Sequence, residues 1–89
     1  MVFGLQWSTD MTVLRISESL WSSAMLPEGI VERWMRNEGE TVKLGEPVAE
    51  VRIEDSLHEI LAPAAGRLHI WAKANSVIDP GTGLGEVAI

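Results

Sequence analysis

Apolar and polar residues alternate with period two along most of this chain. The alternation predicts strands over Thr12–Ile16, Gly29–Trp34, Val48–Ile53, Leu57–Leu61, Arg67–Ala72 and Gly85–Ile89. Turn-forming residues separate them: Pro27-Glu28-Gly29, Asn37-Glu38-Gly39-Glu40, Leu44-Gly45-Glu46-Pro47, Pro63-Ala64-Ala65-Gly66 and Asp79-Pro80-Gly81-Thr82-Gly83. Strands this short and this regularly spaced predict a sandwich or a barrel. The run Leu20–Leu26 is interrupted by Ser22 and Ser23 and stops at Pro27, so it reads as a loop with buried anchors. Residues 1–11 read as an N-terminal extension or an edge segment, in which Phe3, Leu5 and Trp7 alternate with smaller or polar residues. Met11 is a candidate true start, and the domain is expected to occupy residues 12–89.

Laid over itself, the chain shows a weak duplication. Gly29-Ile30-Val31-Glu32-Arg33-Trp34 matches Gly66-Arg67-Leu68-His69-Ile70-Trp71 at an offset of 37. After a one-residue deletion the match resumes at an offset of 36: Val42 lies on Ile78, Gly45 on Gly81, Val48 on Leu84, Glu50 on Glu86, Val51 on Val87 and Ile53 on Ile89. Neither half is large enough to bury its own apolar face. Packed together about a quasi-twofold axis they make an all-β fold, a flattened barrel of two small sheets, with Trp34 and Trp71 as equivalent core or rim anchors. Glu54-Asp55-Ser56 then links the halves as a hairpin tip.

Composition narrows the function. A chain of 89 residues is one small domain, without Cys for a disulfide or a thiolate metal site, so its core must stabilise it unaided. The net charge of -6 and the scatter of seven Lys and Arg argue against nucleic acid. Apolar runs are too short to span a membrane, and the absence of Cys and of a signal peptide favours the cytoplasm. Local chemistry is equally sparse. Glu54 and Asp55 are adjacent turn acids whose side chains point apart, His58 and His69 sit on different strands without ligand spacing, and Ser22 and Ser23 lack a nucleophile elbow. Gly81-Thr82-Gly83-Leu84-Gly85 is followed by no helix to complete a phosphate cradle. Neither an enzyme nor a metal site is expected.

The ordered set Glu28-Gly29-Ile30-Val31-Glu32-Arg33-Trp34, Asn37 through Val51, Ala62-Pro63-Ala64-Ala65-Gly66 and Val77-Ile78-Asp79-Pro80-Gly81 resembles the biotinyl/lipoyl carrier domains over nearly the whole chain. The resemblance implies a barrel-sandwich of two four-stranded sheets and a lysine at the central hairpin tip that carries lipoate or biotin between active sites of a multienzyme complex. At that tip, where lipoyl domains have Glu-Thr-Asp-Lys-Ala, this chain has Arg52-Ile53-Glu54-Asp55-Ser56-Leu57. The attachment position therefore falls on Asp55, and a carboxylate cannot replace the amine that closes the amide. The acid Glu54 before that position, and the absence of a flanking Met, place the chain nearer lipoyl than biotinyl domains.

Two alternatives stand. The first is a non-acylated docking or assembly module, without cofactor, for a complex of the 2-oxo acid dehydrogenase or biotin-dependent type. The second is a working carrier modified at Lys43 or Lys73, the only lysines. The Leu20–Pro27 loop is about two residues longer than is usual for the family, whose members use it near the hairpin to select a partner. Its Trp21 and Met25 either pack on the barrel or join Glu54 and Asp55 as a protein-contact patch.

Overall fold

The computed structural model describes residues 11–22, 25 and 28–89. Among these residues eight strands run β1 (Met11–Leu14), β2 (Gly29–Trp34), β3 (Thr41–Val42), β4 (Pro47–Ile53), β5 (Ser56–Leu61), β6 (Gly66–Ile70), β7 (Val77–Ile78) and β8 (Gly85–Ala88), with one helical turn, α1 (Glu18–Trp21). They form two four-stranded antiparallel sheets, β1-β8-β6-β3 and β5-β4-β2-β7, here called sheets A and B. The predicted all-β, flattened barrel-sandwich is the observed fold.

The quasi-twofold relation is visible in the pairing itself. Exchanging β5 with β1, β4 with β8, β2 with β6 and β7 with β3 turns one sheet order into the other. Gly29 opposes Ile78 as Gly66 opposes Val42. Val31 N donates to Ser76 O at 3.0 Å, and its counterpart Leu68 N donates to Glu40 O at 2.9 Å. Asn75 N donates to Val31 O at 2.7 Å, as Gly39 N donates to Leu68 O at 2.8 Å. Both Gly39 (φ 83) and Asn75 (φ 72) are left-handed, a region open to Gly and tolerated by Asn.

The interior is made from repeat pairs. Val31 and Leu68, Val42 and Ile78, Val48 and Leu84, and Val51 and Val87 are all buried. Each sits on the inward face of its strand, so the period-two pattern becomes a closed core. Leu14, Ile16, Trp21, Ile53 and Ile60 fill the rest.

Several expectations need correction. The Leu20–Leu26 stretch was expected to be loop throughout. Instead α1 reaches Trp21, because Ser17 caps it through a side-chain bond from Ser19 N and Glu18 supplies acid in the first turn. Val42 and Ile78 lie in two-residue strands that are too short to show a period. Strands expected over Thr12–Ile16 and Arg67–Ala72 stop at Leu14 and Ile70. The tryptophans are not equivalent: Trp34 is half-buried and its Nε1 donates to Ala72 O at 2.8 Å, whereas Trp71 is exposed and lies over Gly83. Of the expected N-terminal segment, residues 1–11, Met11 opens β1 opposite Ala88, and residues 1–10 lie outside the described residues.

Candidate functional site

Among the described residues, one two-residue hairpin joins long strands, and it lies between β4 and β5. Ile53 pairs with Ser56, so Glu54 and Asp55 alone form the tip and Ser56 opens β5. Glu54 is left-handed at φ 56, which costs a non-glycine residue about 1 kcal/mol. Its side chain offsets part of that cost, because Oε2 accepts a 2.8 Å hydrogen bond from Met25 N. Met25 is thereby tied to the hairpin end. Asp55 is exposed, and neither acid approaches a basic side chain within ion-pair distance among the described residues.

The four candidate contact residues separate into two groups. Met25 is 89% exposed and joins Glu54 and Asp55 at the tip. Trp21 is buried: its ring covers Gly29 so closely that a Cβ there would meet Cη2 at 3.2 Å. Of the two roles open to it, packing on the barrel is the one observed, and Trp21 does not join the exposed patch at the tip, since the ring against β2 buries more apolar area than it could at a rim. The Trp21 indole Nε1 is buried and has no hydrogen-bond partner among the described residues.

Both lysines lie away from the tip. Lys43 is in the turn that enters β4, so seven strand residues, roughly 20 Å, separate it from Glu54. Lys73 lies in the β6–β7 connection, where its carbonyl accepts from Ser76 N as that of Asn37 accepts from Glu40 N.

Other titratable groups are structural. Glu38 Oε1 accepts from Ile70 N at 2.7 Å while Oε2 meets His69 Nδ1 at 2.7 Å. The Ile70 N–H first, and His69 second, hold the Glu38 carboxyl below its ordinary range. Glu46 is lowered likewise by the Lys43 N–H and then by Arg36. His58 is half-buried on β5. No group of three or more His, Asp or Glu able to hold a metal occurs among the described residues. Beside the tip is a shallow hollow of about 190 Å³ lined by Glu28, Gly29, Ile30, Arg52 and Glu54. Small-molecule sites usually exceed about 300 Å³, so this end presents a surface rather than a ligand cavity.

Sequence reasoning missed the outer face behind the tip. Leu57 lies opposite Arg52, Arg52 opposite Ile30, and Ile30 opposite Val77, in one row across sheet B. The signal was present in the repeat, where outward Ile30 aligns with Arg67 and outward Val77 with Thr41.

Two quasi-equivalent sheets closed around one core, with a two-residue hairpin projecting at one end, have the architecture of a carrier domain. The chain belongs to the biotin/lipoyl family: the family profile described as "Biotin-requiring enzyme" matches residues 22–87. Members normally carry lipoate or biotin covalently, and the domain alone is a non-catalytic carrier. Two curated relatives are each the "dihydrolipoyllysine-residue acetyltransferase component of pyruvate dehydrogenase complex", from Mycobacterium bovis and Mycobacterium tuberculosis. Each is 51% identical to this chain over 39 residues, covering 44% of the chain and only 7% of the relative. No helix among the described residues is long and apolar enough to cross a membrane.

Proposed function

We propose that this domain is an unmodified member of the family, a docking or assembly module for a multienzyme complex of the 2-oxo acid dehydrogenase or biotin-dependent type. One observation carries the reading: the exposed hairpin tip is Glu54-Asp55, with no amine on it. Lipoate and biotin are joined to these domains as amides. The nucleophile must be a neutral amine that attacks an activated acyl group, and a carboxylate at Asp55 supplies neither the nitrogen nor a stable product. The residues at the tip therefore do not fit the cofactor.

The names of the relatives support a complex as the setting. The tip supports a contact role, since Glu54, Asp55 and Met25 sit together and exposed at one end of a rigid barrel. Trp21 supports that end from below rather than by touching a partner.

The test is the intact mass of the protein purified from its own host, with peptide mapping of Lys43 and Lys73. We expect the unmodified mass. A lipoyl or biotinyl increment on either lysine would overturn the proposal and establish a carrier with a relocated arm.

A further inference from the structure

The two sheets have the same topology, so each outward position on one has a counterpart on the other. On sheet A the row nearest the chain terminus is Met11, Ala88, Arg67 and Thr41. On sheet B the corresponding row, next to the hairpin tip, is Leu57, Arg52, Ile30 and Val77. Arg67 and Thr41 are replaced by two neighbouring aliphatic side chains. Leu57, Ile30 and Val77 remain 50%, 40% and 61% exposed. Arg52 does not make the row basic, because its Nε donates to Glu32 Oε1 at 3.0 Å. The barrel does not require aliphatic residues at Ile30 and Val77, since the same positions on sheet A are Arg67 and Thr41, whereas Leu57 and its counterpart Met11 are apolar and half-exposed on both sheets.

Acids surround this row. Glu28, Glu54 and Asp55 stand on the tip side and Glu59 follows Leu57 on β5, all exposed and in no ion pair among the described residues. An apolar centre inside an acidic rim selects against a second copy, which would bring the same acids face to face in a chain of net charge -6. It is complementary to a partner with an apolar centre and a basic rim.

We infer that the outer face of sheet B, centred on Leu57, Ile30 and Val77, docks a protein segment whose apolar residues are flanked by Lys or Arg. This rests on the docking reading above and names the partner chemistry of that module. The aliphatic row supplies the buried contact and the acids supply orientation and rate.

The probe is a random peptide library displayed on phage, panned on the full chain and counter-selected on the Ile30→Arg/Val77→Thr variant. That variant installs the residues that sheet A carries in the same sheet geometry, so its fold is expected to survive, which its circular dichroism and melting curve check. Recovered peptides should place Lys or Arg around apolar positions and shift the backbone amides of Ile30, Arg52, Leu57 and Val77 in 15N-labelled protein. Affinity should fall at least about tenfold in the variant, stay within about twofold in Arg67→Ser/Thr41→Ser on the other sheet, and weaken as salt rises. Leu57→Ser, which reaches the row from β5, should weaken it independently.

Peptides that bind wild type and variant equally, carry acidic flanks, or shift sheet A instead would overturn the inference. So would the failure of any peptide to survive counter-selection. Wild type that sediments as a dimer while Ile30→Arg/Val77→Thr is monomeric would assign the face to a second copy and also overturn it. The two proposals fail separately. A modified lysine ends the unmodified-module reading and leaves the peptide result standing, whereas undiscriminating peptides end the docking face with the mass unchanged.

Discussion

Sheets A and B are nearly interchangeable inside and different outside. Four inward pairs match, Val31/Leu68, Val42/Ile78, Val48/Leu84 and Val51/Val87, although Ile53 is buried and its counterpart Ile89 exposed, and the turns match down to the left-handed Gly45 (φ 82) and Gly81 (φ 90). Their outward rows share little, and only sheet B ends in a closed hairpin. An inward position must fill the same space in either half, so aliphatic residues recur there. An outward position is free of that demand, and Ile30 and Val77 depart there from Arg67 and Thr41 without a packing need.

The largest effect should come from testing how strict the inner equivalence is at Gly29 and Gly66. A Cβ on Gly66 would lie 2.2 Å from Ala88 O, a backbone atom that cannot move without breaking the β6–β8 ladder. At Gly29 the nearest contacts are 3.2 Å to Trp21 Cη2 and 3.3 Å to Arg52 O, which shifts of a few tenths of an ångström relieve. Gly66→Ala should cost about 3 kcal/mol or more and Gly29→Ala about 1 kcal/mol, read from urea midpoints. Equal losses would mean that the two sheets are packed alike at this crossing.

This asymmetry explains what the sequence could and could not disclose. The glycines, the alternation and the aligned Val31/Leu68 and Val48/Leu84 pairs made the barrel and its hairpin legible, because each is a local rule repeated twice. The α1 turn was hidden because only four residues form it, and its stability comes from the Ser17 cap and the burial of Trp21 against Gly29. At the tip, Asp55 was legible by register. The Glu54–Met25 bond was not, since it joins residues 29 apart through a side chain. The sheet B row needed the cross-strand pairing of Leu57, Arg52, Ile30 and Val77, which no single strand contains.

Charge divides the halves in a second way. The turn Lys43–Glu46 is held by Glu46 Oε1 accepting from Lys43 N at 2.9 Å, whereas its counterpart is held by Thr82 Oγ1 accepting from Asp79 N at 3.2 Å. Glu38, which clamps Ile70 N, corresponds to Ala74. Both glutamates have folded pKa values held below their ordinary range, Glu38 chiefly by the Ile70 N–H and Glu46 chiefly by the Lys43 N–H. Such groups stabilise the fold above the unfolded pKa of about 4.3, and that contribution is lost as pH falls through the depressed folded values. Replacing them by their counterparts, Glu38→Ala with Glu46→Thr, should lower the urea midpoint at neutral pH. The gap from wild type should narrow as pH drops towards about 3. A gap unchanged between those limits would locate the loss in packing instead of in the carboxylates.

The smallest effect on stability belongs to the hairpin position on which the proposed function rests. Asp55 is exposed and in no ion pair among the described residues, and the turn geometry is set by the left-handed Glu54 beside it. Asp55→Lys should therefore change stability by no more than about 0.5 kcal/mol. It would place an amine on a projecting two-residue tip with Glu54 still bonded to Met25 N, the presentation that a lipoate or biotin ligase recognises in this family. Incubation with ATP, cofactor and ligase should then add one lipoyl or biotinyl mass to the variant and none to the wild type. Refusal by both ligases, with the fold intact by circular dichroism, would show that the tip differs from a carrier's by more than one side chain. The register that assigns the attachment position to Asp55 would fall with it, whereas modification would mean that a single substitution separates this domain from a swinging arm.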